Sequence, residues 1–442
     1  MTRIALTGCR SDPLGAYLTG LGAWRAVVRL ADPHARAHWE GGYLVLTTKL
    51  DEQGVIAMFC GSFEPVPIVS PWNSGSGFAG NGKSRSAEDA LEAVRTSSDP
   101  RLARLRAVVL AADDVVREGR ACGWGGPKGE LWAKSHKADV ITLCRNRLPD
   151  DALPWLDAAV VLAQVDEPSY SRLLGTGGNF GRQDLSATYV ARALTVLADP
   201  RYGKRVEPWL RAALFGDESV PYLREAVGQF DPGRAGGVQS SPLEDRDKDG
   251  FANPWALLFM LEGAVLFASA AVRRQGALAV HAALPFQVRS SSVGFGSSAL
   301  AEQALGEMWT PEWDRPAPLA EIAHLLASGL ERAARPHRAR LRPGGRVAGR
   351  GPRDHSLHPA RLRRPARSEP ARGPGRPHPG PGPRRRRAAG GAGSVAERGT
   401  RREPAGRGCG LAASGGDRAV RDRRRQRRRR LPVRARRPRT AA

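Results

Sequence analysis

From Pro336 to Ala442 the chain contains no Phe, Trp, Tyr, Ile, Met, Asn or Lys, and 33 of its residues are Arg. Such a stretch cannot bury enough apolar surface to offset the entropy of ordering itself, so any core must come from residues 1–335. The same break explains the net charge of +25. The last segment holds 33 of the 69 basic and 6 of the 44 acidic residues, which leaves 36 basic against 38 acidic in the body. A near-neutral body removes the usual argument from total charge to nucleic acid or an anionic membrane. Residues 336–442 are expected to be a low-complexity, disordered tail. Two origins fit it: an arginine-rich RNA-binding arm, with runs at 384–387 and 427–430, or GC-rich coding sequence read out of frame. We favour the second. Residues 354–362 (DHSLHPARL) can be encoded so that the frame one base on reads Ile-Thr-Ala-Phe-Thr-Arg-His-Gly-Phe.

Within the body, residues 70–84 (SPWNSGSGFAGNGKS) concentrate what a backbone uses to hold a ligand close. Gly75, Gly77, Gly80 and Gly82 permit close approach, Trp72 and Phe78 offer stacking faces, and Asn73, Ser74 and Ser76 offer hydrogen bonds. An ordinary glycine-rich surface loop has the same composition. Gly77, four residues, then Gly82-Lys83-Ser84 also matches the phosphate-loop pattern, in which lysine reaches terminal phosphates and serine ligates magnesium. A helix over 87–94 suits that reading, and Asp113 is the candidate magnesium aspartate, although it falls in a helical stretch. No strand runs into Gly77, because the candidate at 66–69 carries Pro67 and stops well short.

Before this loop the pattern predicts a strand over 4–7, a helix over 14–30 started by Asp12-Pro13, and strands over 43–48 and 55–59 around a turn at 51–54. After it come helices over 87–94 and 101–117. The arginines of the second, Arg101, Arg104, Arg106 and Arg117, read as a solvated face. Lys134, His136, Lys137, Arg145 and Arg147 are the most basic local cluster of the body, open to phosphate contact but better read as solvated charge, and residues 157–165 suit strand or helix equally. Cys9, Cys60, Cys122, Cys144 and Cys409 show no zinc spacing and no metal site, and an odd, scattered set suits reduced thiols in a cytoplasm. No export signal is visible.

Residues 173–186 (LLGTGGNFGRQDLS) are the second dense motif, leading into a helix over 185–197. Gly175, Gly177, Gly178 and Gly181 surround Thr176 and Asn179, a backbone suited to an anion at a helix start, with Arg182 either strengthening it or pairing with Asp184. Phe180 stands at the third glycine of a dinucleotide fingerprint. Asp245, Asp247, Asp249 and Gly250 imitate a calcium loop, but Ala256 replaces its bidentate glutamate, so we read a solvated turn. Asn253-Pro254 starts an apolar helix expected to run to 272. Glu262 and Gly263 at its middle argue for a buried core helix and against a membrane span. Further on we expect a strand and glycine loop over 285–296, a short helix over 299–308, a bend over 309–316 and a last helix over 318–328. His281 and His324 read as structural.

The fold class expected is α+β: residues 1–165 a mixed α/β domain carrying the first loop, 166–335 a mainly helical domain opening with the second, and 336–442 the tail.

Residues 6–21, 65–78, 173–184, 253–267 and 308–316 (MWTPEWDRP), taken in order, resemble the CRISPR-associated family written Csx-seventeen, regarded as the large subunit of type I-U (also I-G) interference complexes. The PWN-GSGF and LLGTGGN-GR-D segments carry most of the likeness. Members are typically longer than the body here, which suits a lost frame. The resemblance implies a subunit with no catalytic residues and no cofactor, acting in antiviral defence. Its partners would be the other effector subunits, guide RNA, target DNA and a separate helicase-nuclease, with no membrane. Base pairing would read sequence while the protein adds phosphate and groove contacts. The residues expected to meet nucleic acid are Trp72, Asn73, Ser76, Phe78, Lys83 and Arg85 on the first loop and Gly177, Gly178, Asn179 and Arg182 on the second. Alanine at Trp72 or Phe78 is expected to weaken target-duplex binding without unfolding. The competing readings are a nucleotide hydrolase using Lys83, Ser84 and Asp113, and an arginine-rich RNA-binding protein.

Overall fold

The structure, a computed structural model, describes residues 1–127, 130–162, 168–171, 173–174, 179–180, 183–217, 219–224, 230, 251–273, 280–283, 285–291, 294–297, 306–334 and 355–362. The chain opens with strand β1 (Thr2–Arg10), helix α1 (Leu14–Leu30) and strands β2 (Arg36–Glu40) and β3 (Tyr43–Thr48). Strand β3 pairs antiparallel with both β1 and β2. Alternation along β1 buries Ile4 and Leu6 against α1, which covers them with Leu14, Leu18 and Leu21. Pro13, not Asp12, holds the N-cap position of α1.

The strand expected over 55–59 is instead helix α2 (Glu52–Ser62), and the expected turn before it is a helix start in which Asp51 accepts from the Gly54 amide at 2.7 Å. A short apolar run suits either state, and long-range packing decides between them. Phe59 and Phe63, four residues apart, meet Phe259 and Trp255 at ring distances of 4.8 and 5.0 Å.

Helices α3 (Arg85–Thr96) and α4 (Ala103–Ala121) occupy the expected segments, joined by a turn that Asp99 caps. Next come α5 (Lys137–Arg147) and α6 (Leu153–Ala159), the latter passing into β4 (Val160–Leu162), so the ambiguous run is helix and then strand. Strand β5 (Pro168–Tyr170) pairs with β4, and β6 (Asn179–Phe180) with β7 (Gln183–Asp184). Helix α7 (Leu185–Leu197) has the expected bounds, and α8 (Gly203–Phe215) follows.

Strand β8 (Leu223–Arg224) pairs with β9 (Phe251–Ala252) ahead of α9 (Pro254–Ala264), whose first amides bond the Asn253 side chain. Helix α9 stops short of 272 because β10 (Ala270–Arg273) pairs with β11 (Val280–Ala283). Strands β12 (Gln287–Ser291), β13 (Gly294–Ser297) and β14 (Gly306–Trp313) follow, then β15 (Ala317–Pro318), α10 (Leu319–Ala334) and β16 (His355–Leu362). Of the helix expected over 299–308, residues 306–308 belong to β14 and the rest lies outside the described residues. The expected 309–316 bend is strand as far as Trp313, where β14 ends. Disorder expected from 336 onward does not hold for β16, which pairs antiparallel with β14 along its length. The calcium-like segment 245–250 lies outside the described residues, as do 372–442.

The fold is α+β. Residues 1–371 form one compact unit, and the division expected at 165/166 is crossed by its core. Strand β15 pairs with β2, giving a sheet ordered β1-β3-β2-β15. Tyr17 stacks on Trp39 at 4.9 Å, and Trp313 packs 6.0 Å from Trp24 and 6.1 Å from Trp39. Three of these rings reach backbone with their polar atoms: Trp24 to Ala35 O at 3.1 Å, Trp313 to Ala37 O at 2.6 Å and Tyr17 to Pro311 O at 2.8 Å. Glu262 on α9 is fully buried and meets Arg25 Nη1 at 3.0 Å and Arg29 Nη2 at 3.4 Å. Among the described residues no helix is long and apolar enough to cross a membrane.

Candidate functional site at the two glycine-rich segments

The first glycine-rich segment lies inside the fold. The chain leaves α2 at Phe63 and turns after Ser70, where the Asn73 amide donates to Ser70 O at 2.9 Å. Ser76 closes the next turn by donating from its hydroxyl to Asn73 O at 2.7 Å. Gly77 ends it in the left-handed region, φ 94°, pressed so closely on α3 that a Cβ would lie 2.7 Å from the Ala87 carbonyl. Three long side chains fasten the segment. Trp155 donates to Ser70 Oγ at 3.1 Å, Trp132 to Pro71 O at 2.8 Å, and Arg120 to Ala79 O at 2.6 Å.

Consequently Trp72, Asn73, Ser76 and Phe78 are all buried, Trp72 with 3 % of its surface exposed. The expected stacking faces belong to the core, because two apolar rings beside a helix gain more by burial than by waiting in water. Lys83 and Arg85 are exposed.

The phosphate-loop match runs from Gly77 to Ser84, and within it the backbone donors of Asn81, Gly82 and Lys83 are already used. Glu88, in the first turn of α3, accepts from the Asn81 amide at 3.1 Å and from the Gly82 amide at 3.0 Å. The Lys83 amide donates to Asn81 Oδ1 at 3.1 Å. A carboxylate at a helix start thus stands where a phosphate would be cradled. No strand leads into Gly77, and Asp113, the candidate magnesium ligand, is held at 2.8 Å by two nitrogens of Arg95. Glu88 was missed in the sequence, where its place four residues after Ser84 in a helical first turn was the available signal.

The second segment reaches the same place through Asp184. This residue caps α7, accepting from the Ala187 amide at 2.9 Å and the Ser186 hydroxyl at 2.6 Å. Burial pushes its carboxyl up to about 6, and hydrogen bonds from Ser186, Ala187 and the Asn73 side chain partly offset that rise. Gly75 lies against it, so that a Cβ there would be 3.5 Å from Asp184 Cβ. The two motifs therefore meet at Asn73, Gly75 and Asp184, a contact no spacing in the sequence announces. Asn179 pairs with Asp184 through backbone across β6 and β7. Gly177, Gly178, Arg182 and the side chain of Asn179 lie outside what is described.

The α4 arginines are committed elsewhere. Arg104 pairs with Asp151 at 2.6 Å, Arg117 with Asp114, and Arg106 donates to Ser97 O. Among the described residues no three His, Cys, Asp or Glu side chains come together as a metal-ligand set.

Neither models of known protein families nor curated protein sequences give a match to this chain.

Proposed function

We propose that this chain is the front part of a non-catalytic large subunit of an RNA-guided DNA interference complex of the CRISPR type I-U class. The reading rests on the ordered resemblance of its segments to the Csx-seventeen family. The observation that supports it best is the meeting of the two most family-like segments at Asn73 and Asp184, where they act as one joint in the fold. In this reading the joint shapes the protein around Lys83 and Arg85, which make phosphate contacts with target DNA while guide RNA supplies the sequence.

The test is co-expression with the products of the neighbouring genes and a guide RNA. Co-purification of the chain with the guide-bearing complex, together with target opening that depends on it in a permanganate footprint, is the expected result. A chain that stays apart from the complex rejects the proposal. ATP or GTP turnover abolished by Lys83→Ala would move the assignment to a nucleotide hydrolase.

The proposal includes a lost reading frame near residues 329–362. Pro359 sits in β16 opposite Trp309, at a position where a strand loses a hydrogen-bond donor. The shifted frame would place Thr and Phe in that strand. Resequencing the locus tests this, and an intact frame through these codons rejects it and makes the arginine arm genuine.

A further inference from the structure

The residues around the start of α5 form a second surface that the two glycine-rich segments do not include. The chain folds back between Trp124 and Ala133, with the Ala133 amide donating to Trp124 O at 2.8 Å. That fold brings the Trp124 ring onto His136, stacked at 5.8 Å and 12°. Gly119 gives the indole its seat, since a Cβ there would lie 3.2 Å from Trp124 Cε3. Three residues on from Lys134, Lys137 holds its Nζ 5.8 Å from the centre of the Tyr170 ring. Trp124, His136, Lys137 and Tyr170 are all partly exposed, and Lys134 is exposed.

The lysines here differ from the basic residues next door. Arg145 pairs with Asp157, Arg147 with Glu118 at 3.0 Å, and Asp139 is taken by His136 at 2.9 Å. Among the described residues no carboxylate pairs with Lys134 or Lys137. Burial, and then the charge of Lys134, hold Lys137 below the ordinary lysine range. Two neighbouring ammonium groups, one partly desolvated and neither paired with a carboxylate among the described residues, gain by taking up an anion. Aromatic rings beside them favour an anion that also carries flat faces.

We infer that Lys134, Lys137, Trp124, His136 and Tyr170 form a binding surface for single-stranded nucleic acid, with the lysines on phosphates and the rings against bases. Unpaired bases present faces for stacking, whereas a duplex hides them, and this combination of cations and rings is how proteins hold single strands without reading sequence. The inference deepens the nucleic-acid role proposed above and rests on it.

The arginine-rich segment will bind any polyanion, so the test must locate contact as well as measure it. Full-length protein is cross-linked to a single-stranded oligothymidine bearing 5-iodouracil, and the labelled peptides are mapped. Labels within residues 124–137 that disappear in Lys134→Gln/Lys137→Gln are expected. The same variant should lower the slope of log affinity against log salt by about 1.4, two single-strand phosphate contacts, with its melting temperature unchanged. His136→Ala should weaken binding several-fold through lost stacking. Labels confined to 336–442, an unchanged slope, or equal competition by duplex DNA or polyglutamate would each overturn the inference. A chain that assembles with guide RNA yet shows no label at 124–137 rejects this surface alone. One that labels there without assembling rejects the subunit assignment alone.

Discussion

Gly22 of α1 and Gly263 of α9 face each other where the two helices cross, each with its backbone nitrogen about 3 Å from where the other's Cβ would stand: 2.8 Å from Gly22 to the Gly263 nitrogen and 3.0 Å in reverse. A Cβ on Gly22 would also run into the Phe259 carbonyl, and one on Gly263 into the Leu18 carbonyl. Gly22→Ala or Gly263→Ala should therefore destabilise by about 1–3 kcal/mol through overpacking, outweighing the ~1 kcal/mol that alanine contributes in a helix interior. Urea unfolding measures the sign, and a stabilised variant would mean that the crossing is looser than described.

Beside that crossing, Glu262 holds Arg25 and Arg29, whose side chains are 19 % and 17 % exposed. Glu262→Ala leaves two guanidinium groups without their carboxylate and should cost about 3–5 kcal/mol, while replacing all three residues by Met or Leu should recover most of the loss. If the triple variant is as unstable as the single one, the cost comes from lost packing and not from stranded charge.

Asp184 should give the protein an acid-side signature. Its folded value, about 6, lies above the ordinary 3.8, so the folded state binds the proton more tightly than the unfolded state between those values. The stability this confers is complete below pH 3.8 and is lost as pH rises through about 6. Asp184→Asn keeps an acceptor for the α7 cap and removes the titration. Melting temperatures from pH 4 to 7 should show a falling component in the wild type that is absent from the variant.

Trp72→Ala should lower stability by about 3–5 kcal/mol, the cost of emptying a buried aromatic site, so any loss of DNA binding would follow from unfolding. This reverses the expectation that alanine there leaves the fold intact. Denaturation and binding measured on one preparation separate the two effects.

Glu88→Ala should cost about 1 kcal/mol, since it frees the Asn81 and Gly82 amides and removes a carboxylate from a helix start, whereas Lys83→Ala should change stability by less than about 0.5 kcal/mol. Nucleotide should not shift the wild-type melting temperature. A shift of several degrees with ATP would show the loop opening to phosphate.

Local periodicity alone determined α1 and α7, because both carry a helical apolar stripe long enough to outvote any alternative. The burial of α9, whose apolar face runs all round, was equally legible. Tertiary structure alone decided the rest. Residues 52–62 became helix because Phe59 and Phe63 find Trp255 and Phe259, partners about two hundred residues away. Residues 70–79 went inward because Trp132 and Arg120 bond the backbone there and Trp155 bonds the Ser70 hydroxyl, and the phosphate-loop pattern is filled by Glu88. A composition rich in glycine and aromatic residues describes a backbone able to approach something closely. Whether that something is a ligand or the protein's own helices depends on contacts between segments far apart in the chain, and local sequence does not encode them.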